Sequence, residues 1–191
     1  MVSQEGSIME LIGISGSLRK ESYNTKLLQA AAECLPSGAS IRFIECGDLP
    51  LYDNDLDTDI KPASVARLLR VIGDSDGLLI ATPEYNYSIP GVLKNAIDWA
   101  SRPGYKSVLA GKPTGIVSAS KSVIGGARVQ LHLRDVLSST LTPVVPSPPF
   151  LVPLVQEKFN QEGKLIDEDT RVRLNRYMKD LVEWVDRLTA R

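Results

Sequence analysis

An apolar run that leads into a hydroxyl-rich turn stands near the start of the chain. Residues 8–12 read IMELI, residues 13–25 read GISGSLRKESYNT, and helix-forming residues follow from Lys26. This order predicts a buried strand, a loop and the start of a helix. The first N–H groups of a helix have no partner within it and carry about half a positive charge, so they suit an anion. We therefore predict a phosphate site at this turn.

Side chains in the turn can complete the shell around a phosphate, because they supply hydroxyl, amide and guanidinium donors. They are Ser15, Ser17, Arg19, Ser22, Asn24 and Thr25. The turn lacks the Lys-Ser/Thr pair of triphosphate-binding loops and the third glycine of dinucleotide-binding loops. It therefore suits a single terminal phosphate, as in flavin mononucleotide (FMN). Taken alone, it leaves a second interpretation open, a serine-rich turn that only caps a helix.

Composition and charge set the class of protein. The chain has 191 residues, of which 43% are hydrophobic and 24% charged. These values predict one globular domain over residues 1–191, and we expect residues 1–7 to form a flexible tail. A net charge of -1 without a Lys/Arg block argues against nucleic acid or an anionic membrane as the main partner. Because no apolar run is long enough to span a membrane and no leader-like start is present, we expect a cytoplasmic protein.

Cysteine and histidine are scarce. Cys34 and Cys46 are too few for a disulfide framework, an iron–sulfur cluster or a cysteine-based zinc site, and we expect free thiols. His132 is the only histidine, so imidazole metal ligation or a Ser-His hydrolase would depend on one residue. We predict no metal site.

Strand-like and helix-like periods alternate along the chain. Strands are predicted at residues 8–15, 41–45, 76–82, 114–118 and 142–146, with helices over 26–35, 63–72, 92–101, from residue 127 and over 174–188. The third strand is apolar without alternation, as in a parallel sheet covered on both faces. We therefore predict a doubly wound α/β fold, a five-stranded parallel sheet with helices on both faces. Its ligands would bind beyond the carboxyl ends of the strands.

Two further loops are expected at the same edge of the sheet. Residues 82–91 read TPEYNYSIPG, and their prolines delay the following helix. We expect the N–H groups of Glu84, Tyr85 and Asn86 to face the ligand, with Tyr85 and Tyr87 beside a flat heterocycle or in ordinary loop packing. Residues 118–126 read SASKSVIGG, and their small side chains permit close approach. The two loops are predicted to flank a planar ring.

Three motifs in this order resemble a known family. The segments GSLRKESYN (16–24), TPEYNYSIPG (82–91) with LKNAIDW (93–99), and GGAR (125–128) are similar to the NADPH-dependent FMN reductase family, close to its chromate/quinone reductase branch. The resemblance implies a flavodoxin-like fold, non-covalent FMN, and NADPH or NADH as electron donor. It also implies ping-pong hydride transfer to a small-molecule acceptor such as a quinone, a flavin, an azo compound or chromate.

The resemblance also implies roles for residues by position. Residues 17–24 would wrap the FMN phosphate, residues 83–86 would hold the isoalloxazine, and residues 118–120 would form a third flavin-side turn. The predicted cofactor-binding residues are Ser15, Ser17, Leu18, Arg19, Lys20, Glu21, Ser22, Tyr23, Asn24, Thr25, Pro83, Glu84, Tyr85, Asn86, Ser118, Ala119 and Ser120. No catalytic side chain is predicted, because FMN carries the chemistry. Ala119 and Lys121-Ser122 depart from the commoner family pattern in the third turn, which leaves the roles of Ala119 and Lys121 open.

Two apolar residues lie off the core stripes of their helices. Trp99 flanks the stripe of the helix over 92–101 with Val92, and Leu131 points away from the stripe of the helix that begins near Ala127. Together with the family resemblance, they predict a homodimer or homotetramer whose site is completed at a subunit contact. Arg128 and His132 would lie near that contact or form a satisfied surface pair.

Two other functions remain open on the sequence. A flavodoxin-type electron carrier would share the fold but lack NAD(P)H activity, and we would expect it to carry a strongly acidic docking face. A module that senses flavin or another phosphate compound would need only the phosphate loop.

Overall fold

Strands and helices alternate in the computed structural model, which describes residues 8–189. The strands are β1 (Met9–Ser15), β2 (Ala39–Ile44), β3 (Gly77–Thr82), β4 (Thr114–Ala119) and β5 (Phe150–Val152). The helices are α1 (Tyr23–Glu33), α2 (Ala63–Asp74), α3 (Gly91–Ala100), α4 (Ala127–Ser139) and α5 (Glu168–Thr189). The predicted tail at residues 1–7 lies outside the described residues.

The strands form one parallel sheet in the order β2-β1-β3-β4-β5. Side chains along the central strands alternate between two apolar cores: Leu79 of β3 packs into one, whereas its neighbours Leu78 and Ile80 pack into the other. Such strands read as continuous apolar runs because both faces are buried. The flavodoxin-like, doubly wound five-stranded sheet predicted from the sequence is confirmed.

Helices cover both faces of the sheet. α1 and α5 pack on the first core through residues such as Leu28 and Tyr177. α2, α3 and α4 pack on the second, through residues such as Leu68, Leu93 and Leu133. α1 and α3 thus leave the ends of the neighbouring strands β1 and β3 toward opposite faces. A crevice opens at such a switch point, beyond the carboxyl ends of the strands.

The predicted position of the fifth strand was wrong. Residues 142–146 pair with β4 only through a bridge between Thr114 and Val144, and β5 is the later segment Phe150–Val152. Pro143 and Pro146 have no N–H to donate, so the segment cannot sustain a ladder.

The predicted place of Trp99 at a subunit contact was also wrong. Its side chain is fully buried, and Nε1 donates to the carbonyl of Pro50 at 2.8 Å. The Tyr52 ring packs edge-on against it, with 5.0 Å between centroids. The loop before α2 folds back over α3, so Trp99 is not available to a subunit contact. Leu131 on α4 is exposed, as predicted.

Helix lengths and apolarity bear on the membrane prediction. Over residues 8–189, none of the helices combines the length and the apolar character that crossing a membrane requires.

Candidate functional site

The turn after β1 is held against the end of β3. The N–H of Gly16 donates to the carbonyl of Ala81 at 2.8 Å. A Cβ on Gly16 would lie 2.8 Å from Oγ1 of Thr82, so the close approach requires glycine. Ser15 Oγ and Thr25 Oγ1 are 2.9 Å apart, which joins the two ends of the turn. These contacts fix residues 15–25, called the phosphate loop below, at the crevice.

The phosphate loop ends at the N-terminus of α1. Ser22 is buried and caps the helix, accepting from the N–H of Thr25 at 3.5 Å. The N–H groups of Tyr23 and Asn24 open the helix, where no earlier turn supplies an acceptor. α1 therefore begins three residues before the predicted start at Lys26, and its first amides follow Ser22 directly.

Asn24 has a structural role that sequence reasoning missed. Its side chain is buried and hydrogen-bonds twice to the backbone of Ala119, donating at 3.1 Å and accepting at 2.9 Å. One N–H of this amide is thus engaged with Ala119, and the expected donation from the Asn24 side chain to a phosphate stays a prediction. The amide ties the phosphate loop to the turn after β4.

Four other predicted residues of the phosphate loop are exposed, and Tyr23 packs against the core. Leu18 is 64% exposed and rests on Gly47, and Glu21 forms an ion pair with Lys26 at 2.7 Å. Tyr23 packs against Phe159 with 5.9 Å between ring centroids. Arg19 and Lys20 are exposed, and neither takes part in an ion pair within residues 8–189.

The loop after β3 contains a tight reverse turn. Tyr85 and Ser88 exchange backbone hydrogen bonds at 3.1 and 2.9 Å, and Asn86 and Tyr87 take positive φ values of 49° and 66°. This is the geometry of a hairpin-type turn. The N–H of Tyr85 is thus engaged within the turn and does not face a ligand, contrary to the prediction. The rings of Tyr85 and Tyr87 remain exposed.

Glu84 connects this loop to α4. Its carboxylate accepts from the N–H groups of Arg128 and Val129 at 3.1 and 3.2 Å and pairs with the Arg128 guanidinium at 3.4 Å. That guanidinium also lies 4.2 Å from the centre of the Tyr87 ring. Glu84 therefore caps a helix whose own N-cap, Gly126, has no side chain to do so. In the sequence, the Gly125-Gly126 pair before α4 was the signal that a residue from elsewhere must cap this helix.

Buried side chains of Ser118 and Gln130 support the turn after β4. Ser118 Oγ donates to the carbonyl of Gly125 at 2.8 Å and accepts from Gln130 Nε2 at 3.0 Å. Because Ser118 is fully buried, its hydroxyl supports the turn and does not reach a ligand. Ser120 lies at the surface of the same turn, with Oγ 3.1 Å from Oγ of Ser122.

Two cavities lie at this edge of the sheet. The first, of about 750 Å³, is lined by Glu84, Asn86, Tyr87, Ser120, Ser122, Ile124 and Arg128. The second, of about 520 Å³, lies behind the phosphate loop, and its lining includes Ser15, Ser17, Leu18, Arg19, Lys20, Thr25 and residues 43–47. The predicted ring-side and phosphate-side residues thus meet at one edge but line separate cavities. Pro83 and Lys121 lie in the ring-side loops outside both linings.

The two cysteines are free, as predicted, and both are buried. Burial raises the pKa of Cys46 to about 11, and the nearby carboxylate of Asp48 adds to the effect. Cys46 lines the second cavity as a neutral thiol.

The residues present fit FMN. The phosphate loop carries hydroxyls, the exposed cations Arg19 and Lys20 and the first amides of α1, which suit an anion, and the ring-side loops line a wide cavity at the same edge of the sheet. This fold, with a phosphate loop after β1 and ring-side loops after β3 and β4, defines a flavodoxin-like flavin-binding protein.

Comparison with known proteins agrees with this class. The model of the NADPH-dependent FMN reductase family matches residues 9–157. A 2-hydroxy-1,4-benzoquinone reductase from a Burkholderia species is 42% identical over 178 residues, which cover 93% of this chain and 96% of that protein. A quinone reductase from Escherichia coli (strain K12) is 39% identical over 183 residues, covering 94% and 97%. Among solved structures, the flavoenzyme NAD(P)H:(acceptor) oxidoreductase FerB from Paracoccus denitrificans superposes with a TM-score of 0.86 at 36% identity, covering 94% of this chain and 98% of that one.

The chain belongs to the NADPH-dependent FMN reductase family. It is therefore an oxidoreductase with FMN as its flavin and NAD(P)H as its electron donor, and the family predicted from the sequence is confirmed.

Proposed function

We propose that the protein is an FMN-dependent NAD(P)H:quinone oxidoreductase with a ping-pong mechanism. The observation that carries the proposal is the 750 Å³ cavity beside the ring-side loops. A cavity of this size holds a flat donor or acceptor as large as a nicotinamide or a quinone. If donor and acceptor share this ring-side cavity, they occupy it in succession, and the oxidised donor leaves before the acceptor enters.

The phosphate loop anchors the cofactor in this proposal. The amides of Tyr23 and Asn24, the Ser17 hydroxyl and the Arg19 guanidinium are the donors suited to its phosphate. Residues 83–86 and 118–120 would bound the ring. The Asn24–Ala119 and Glu84–Arg128 contacts hold these loops in place before any ligand binds.

The chain supplies geometry and FMN supplies the redox chemistry. FMN, when bound, would supply the two-electron chemistry that links NAD(P)H to the acceptor. A quinone acceptor takes up these two electrons and two protons, one of them from solvent, and leaves as the hydroquinone. Rigid loops favour this transfer because donor and acceptor must lie in near contact. No side chain needs to act as an acid or a base.

Several acceptors are compatible with this site. The quinone reductases at about 40% identity support quinones as the acceptor class. Free flavins, azo compounds and chromate are proposed from the family resemblance. Arg128 on the cavity wall, with Lys121 in the adjacent turn, would favour anionic acceptors such as chromate. We propose that the reaction takes place in the cytoplasm.

A flavodoxin-type electron carrier is the second candidate, because it shares the fold. The net charge of -1 gives no general acidic surface for docking to protein partners, which favours the reductase. A flavin-sensing module would bind FMN without turnover.

Steady-state kinetics test the proposal. Initial rates are measured with NADPH or NADH and a benzoquinone at several fixed concentrations of each. Parallel double-reciprocal lines are expected for ping-pong turnover. Intersecting lines would rule out the ping-pong order, and an absence of turnover with either donor would leave the carrier or the sensing module. Chromatography of the flavin released by heat should identify FMN and not FAD.

A further inference from the structure

The reverse turn after β3 contains a tyrosine in a backbone conformation that favours glycine. Asn86 and Tyr87 are the two central residues of this turn, with φ values of 49° and 66°. Turns of this kind prefer Asn-Gly, because asparagine tolerates a positive φ and glycine has no Cβ to clash there. Tyr87 does have a Cβ, so it destabilises its own turn. The reason for a tyrosine at this position must therefore lie outside the turn.

Two side chains of α4 hold the turn in place. The guanidinium of Arg128 lies 4.2 Å from the centre of the Tyr87 ring. Nδ1 of His132 lies 3.1 Å from Oγ of Ser88, which is hydrogen-bond distance. Arg128 and His132 are four residues apart, so they share one face of α4. The backbone bonds between Tyr85 and Ser88 define the shape of the turn, whereas these two contacts fix its position on the helix.

The central residues of the turn form part of the wall of the 750 Å³ cavity. Asn86 and Tyr87 line this cavity together with Arg128. Because Tyr87 is 65% exposed, burial in the core does not explain its side chain. Strained residues persist where the surrounding structure holds them, and they cluster at functional sites. The Tyr87 ring fits this description, because an exposed aromatic ring on a cavity wall can pack against a flat ligand.

We propose that Tyr87 determines specificity for flat acceptors and that His132 is a positioning residue, which acts on Tyr87 through Ser88. The Tyr87 ring packs against the acceptor, and the contact between His132 and Ser88 keeps the turn where it places that ring. The turn is less stable than one with glycine at this position, and the ring contributes to acceptor binding instead. This inference rests on the proposed function, because it concerns the acceptor side of the reaction.

Replacing Tyr87 by glycine separates stability from acceptor binding. Because glycine favours a positive φ, FMN-loaded Tyr87→Gly should unfold at the same urea concentration as the wild type or at a higher one. At saturating NAD(P)H, kcat/KM for a benzoquinone should fall about two- to tenfold, the range for a lost aromatic contact. Ferricyanide is an octahedral complex that cannot stack on a ring, so kcat/KM for ferricyanide should stay unchanged. FMN affinity should stay unchanged as well.

Tyr105→Gly is the matched control. Tyr105 is also an exposed tyrosine with a positive φ, of 62°, but it does not line the cavity. This variant should likewise keep its stability, and it should reduce the benzoquinone at the wild-type rate.

A double-mutant cycle tests the positioning role of His132. His132→Ala and Ser88→Ala should each lower kcat/KM for the benzoquinone about two- to tenfold, the usual effect of one lost hydrogen bond, and the double variant should lose no more than either alone. His132→Asn keeps a polar atom near the place of Nδ1, so it should restore most of this loss. In the Tyr87→Gly background, His132→Ala should have no further effect, because the ring that it positions is absent.

Calorimetric titration of the oxidised, FMN-loaded protein with the same benzoquinone measures acceptor binding without turnover. The affinity should fall in Tyr87→Gly by about the same factor as kcat/KM. This inference can therefore fail while the wild type reduces quinone, and it can hold while the wild type fails to turn over, which would contradict the proposed function alone.

Four results would overturn the inference. The first is a loss of stability in Tyr87→Gly that Tyr105→Gly does not share. The second is an equal effect of Tyr87→Gly on benzoquinone and ferricyanide, including no effect on either. The third is a fall in FMN affinity as large as the fall for the quinone, which would assign the ring to the cofactor. The fourth is additive losses in His132→Ala and Ser88→Ala, which would show that the two residues act independently.

Discussion

The side-chain amide of Asn24 forms two hydrogen bonds with the backbone of Ala119, although the two residues are 95 positions apart. Both residues are buried. Since Asn24 stands at the start of α1 and Ala119 at the end of β4, the pair spans the crevice between the phosphate loop and the third turn. The arrangement of the proposed site therefore depends on one buried amide.

Replacing this amide should weaken both the fold and the site. In Asn24→Ala, the N–H and C=O of Ala119 lose their partners in a buried position. Such groups cost about 1–3 kcal/mol each, so we expect the free energy of unfolding to fall by about 2–6 kcal/mol. FMN affinity, measured by titrating the apoprotein, should fall at least tenfold, because the two loops are no longer held together.

Asn54→Ala serves as the control, because Asn54 is exposed and its side chain makes only a 3.5 Å contact with the hydroxyl of Tyr52. This variant should bind FMN with wild-type affinity. Unchanged unfolding and FMN titrations for Asn24→Ala would show that the buried pair does not support the site.

Glu84 offers a second test of loop anchoring. Glu84→Ala removes the cap of α4 and the partner of Arg128, and it should lower the free energy of unfolding by about 1–2 kcal/mol. Because the loop that carries Glu84 is no longer anchored to α4, kcat/KM for quinone should also fall. This fall should be larger than the loss of folded protein alone would cause. Urea unfolding and steady-state rates are the measurements. Glu162→Ala, an exposed glutamate in a distant loop, should behave like the wild type, and equal quinone kinetics in the two variants would contradict the anchoring role.

Much of the fold was predictable from periodicity, because the apolar pattern of each central strand and each helix stripe lies within one short segment of the sequence. The fifth strand was not, because Phe150–Val152 is three residues long and the competing run at 142–146 is richer in β-branched residues. The burial of Trp99 depends on a distant loop folding over α3, which no helical pattern reveals. In the same way, the partners of Asn24 and Glu84 are set by topology. The motifs that contain Asn24 and Glu84 allowed both residues to be predicted at the site, but only the structure shows which groups they bind.

Self-association through α4 remains a prediction. Trp99 is buried, so Leu131, which is 65% exposed, is the residue that supports this prediction. We expect Leu131→Lys to shift the protein to a smaller assembly with unchanged quinone turnover. Burying the lysine charge at the subunit contact would cost more free energy than the contact gains from that side chain. Light scattering after size exclusion measures the mass. Leu51→Lys, at another exposed leucine, should leave the mass unchanged. A wild-type protein that is a fully active monomer would end the prediction.

Asp167 should make stability depend on acid pH. Its carboxylate accepts from Lys158 Nζ at 2.8 Å and from the N–H of Thr170 at 2.9 Å at the start of α5. These partners lower its pKa from 3.8 to about 2. Because the folded-state pKa is depressed, the stabilisation is present above pH 4 and is lost as the pH falls through 2. Asp167→Ala should cost about 1 kcal/mol at pH 7, the usual value of a helix cap.

Urea unfolding of Asp167→Ala and wild type at pH 7 and pH 2 checks this dependence. The difference between them should shrink at the lower pH. A difference that is the same at both values would show that the charge of Asp167 does not contribute.

Anaerobic stopped-flow mixing tests the central claim, that this chain is an NAD(P)H-dependent quinone reductase, most directly. Purified FMN-loaded protein is mixed with one equivalent of NADPH or NADH while the visible absorption of the flavin is followed, and a quinone is added afterwards. We predict that the absorption is bleached at least as fast as steady-state turnover and returns when the quinone is added. A flavin that dithionite reduces but neither nucleotide bleaches would contradict the account and indicate an electron carrier.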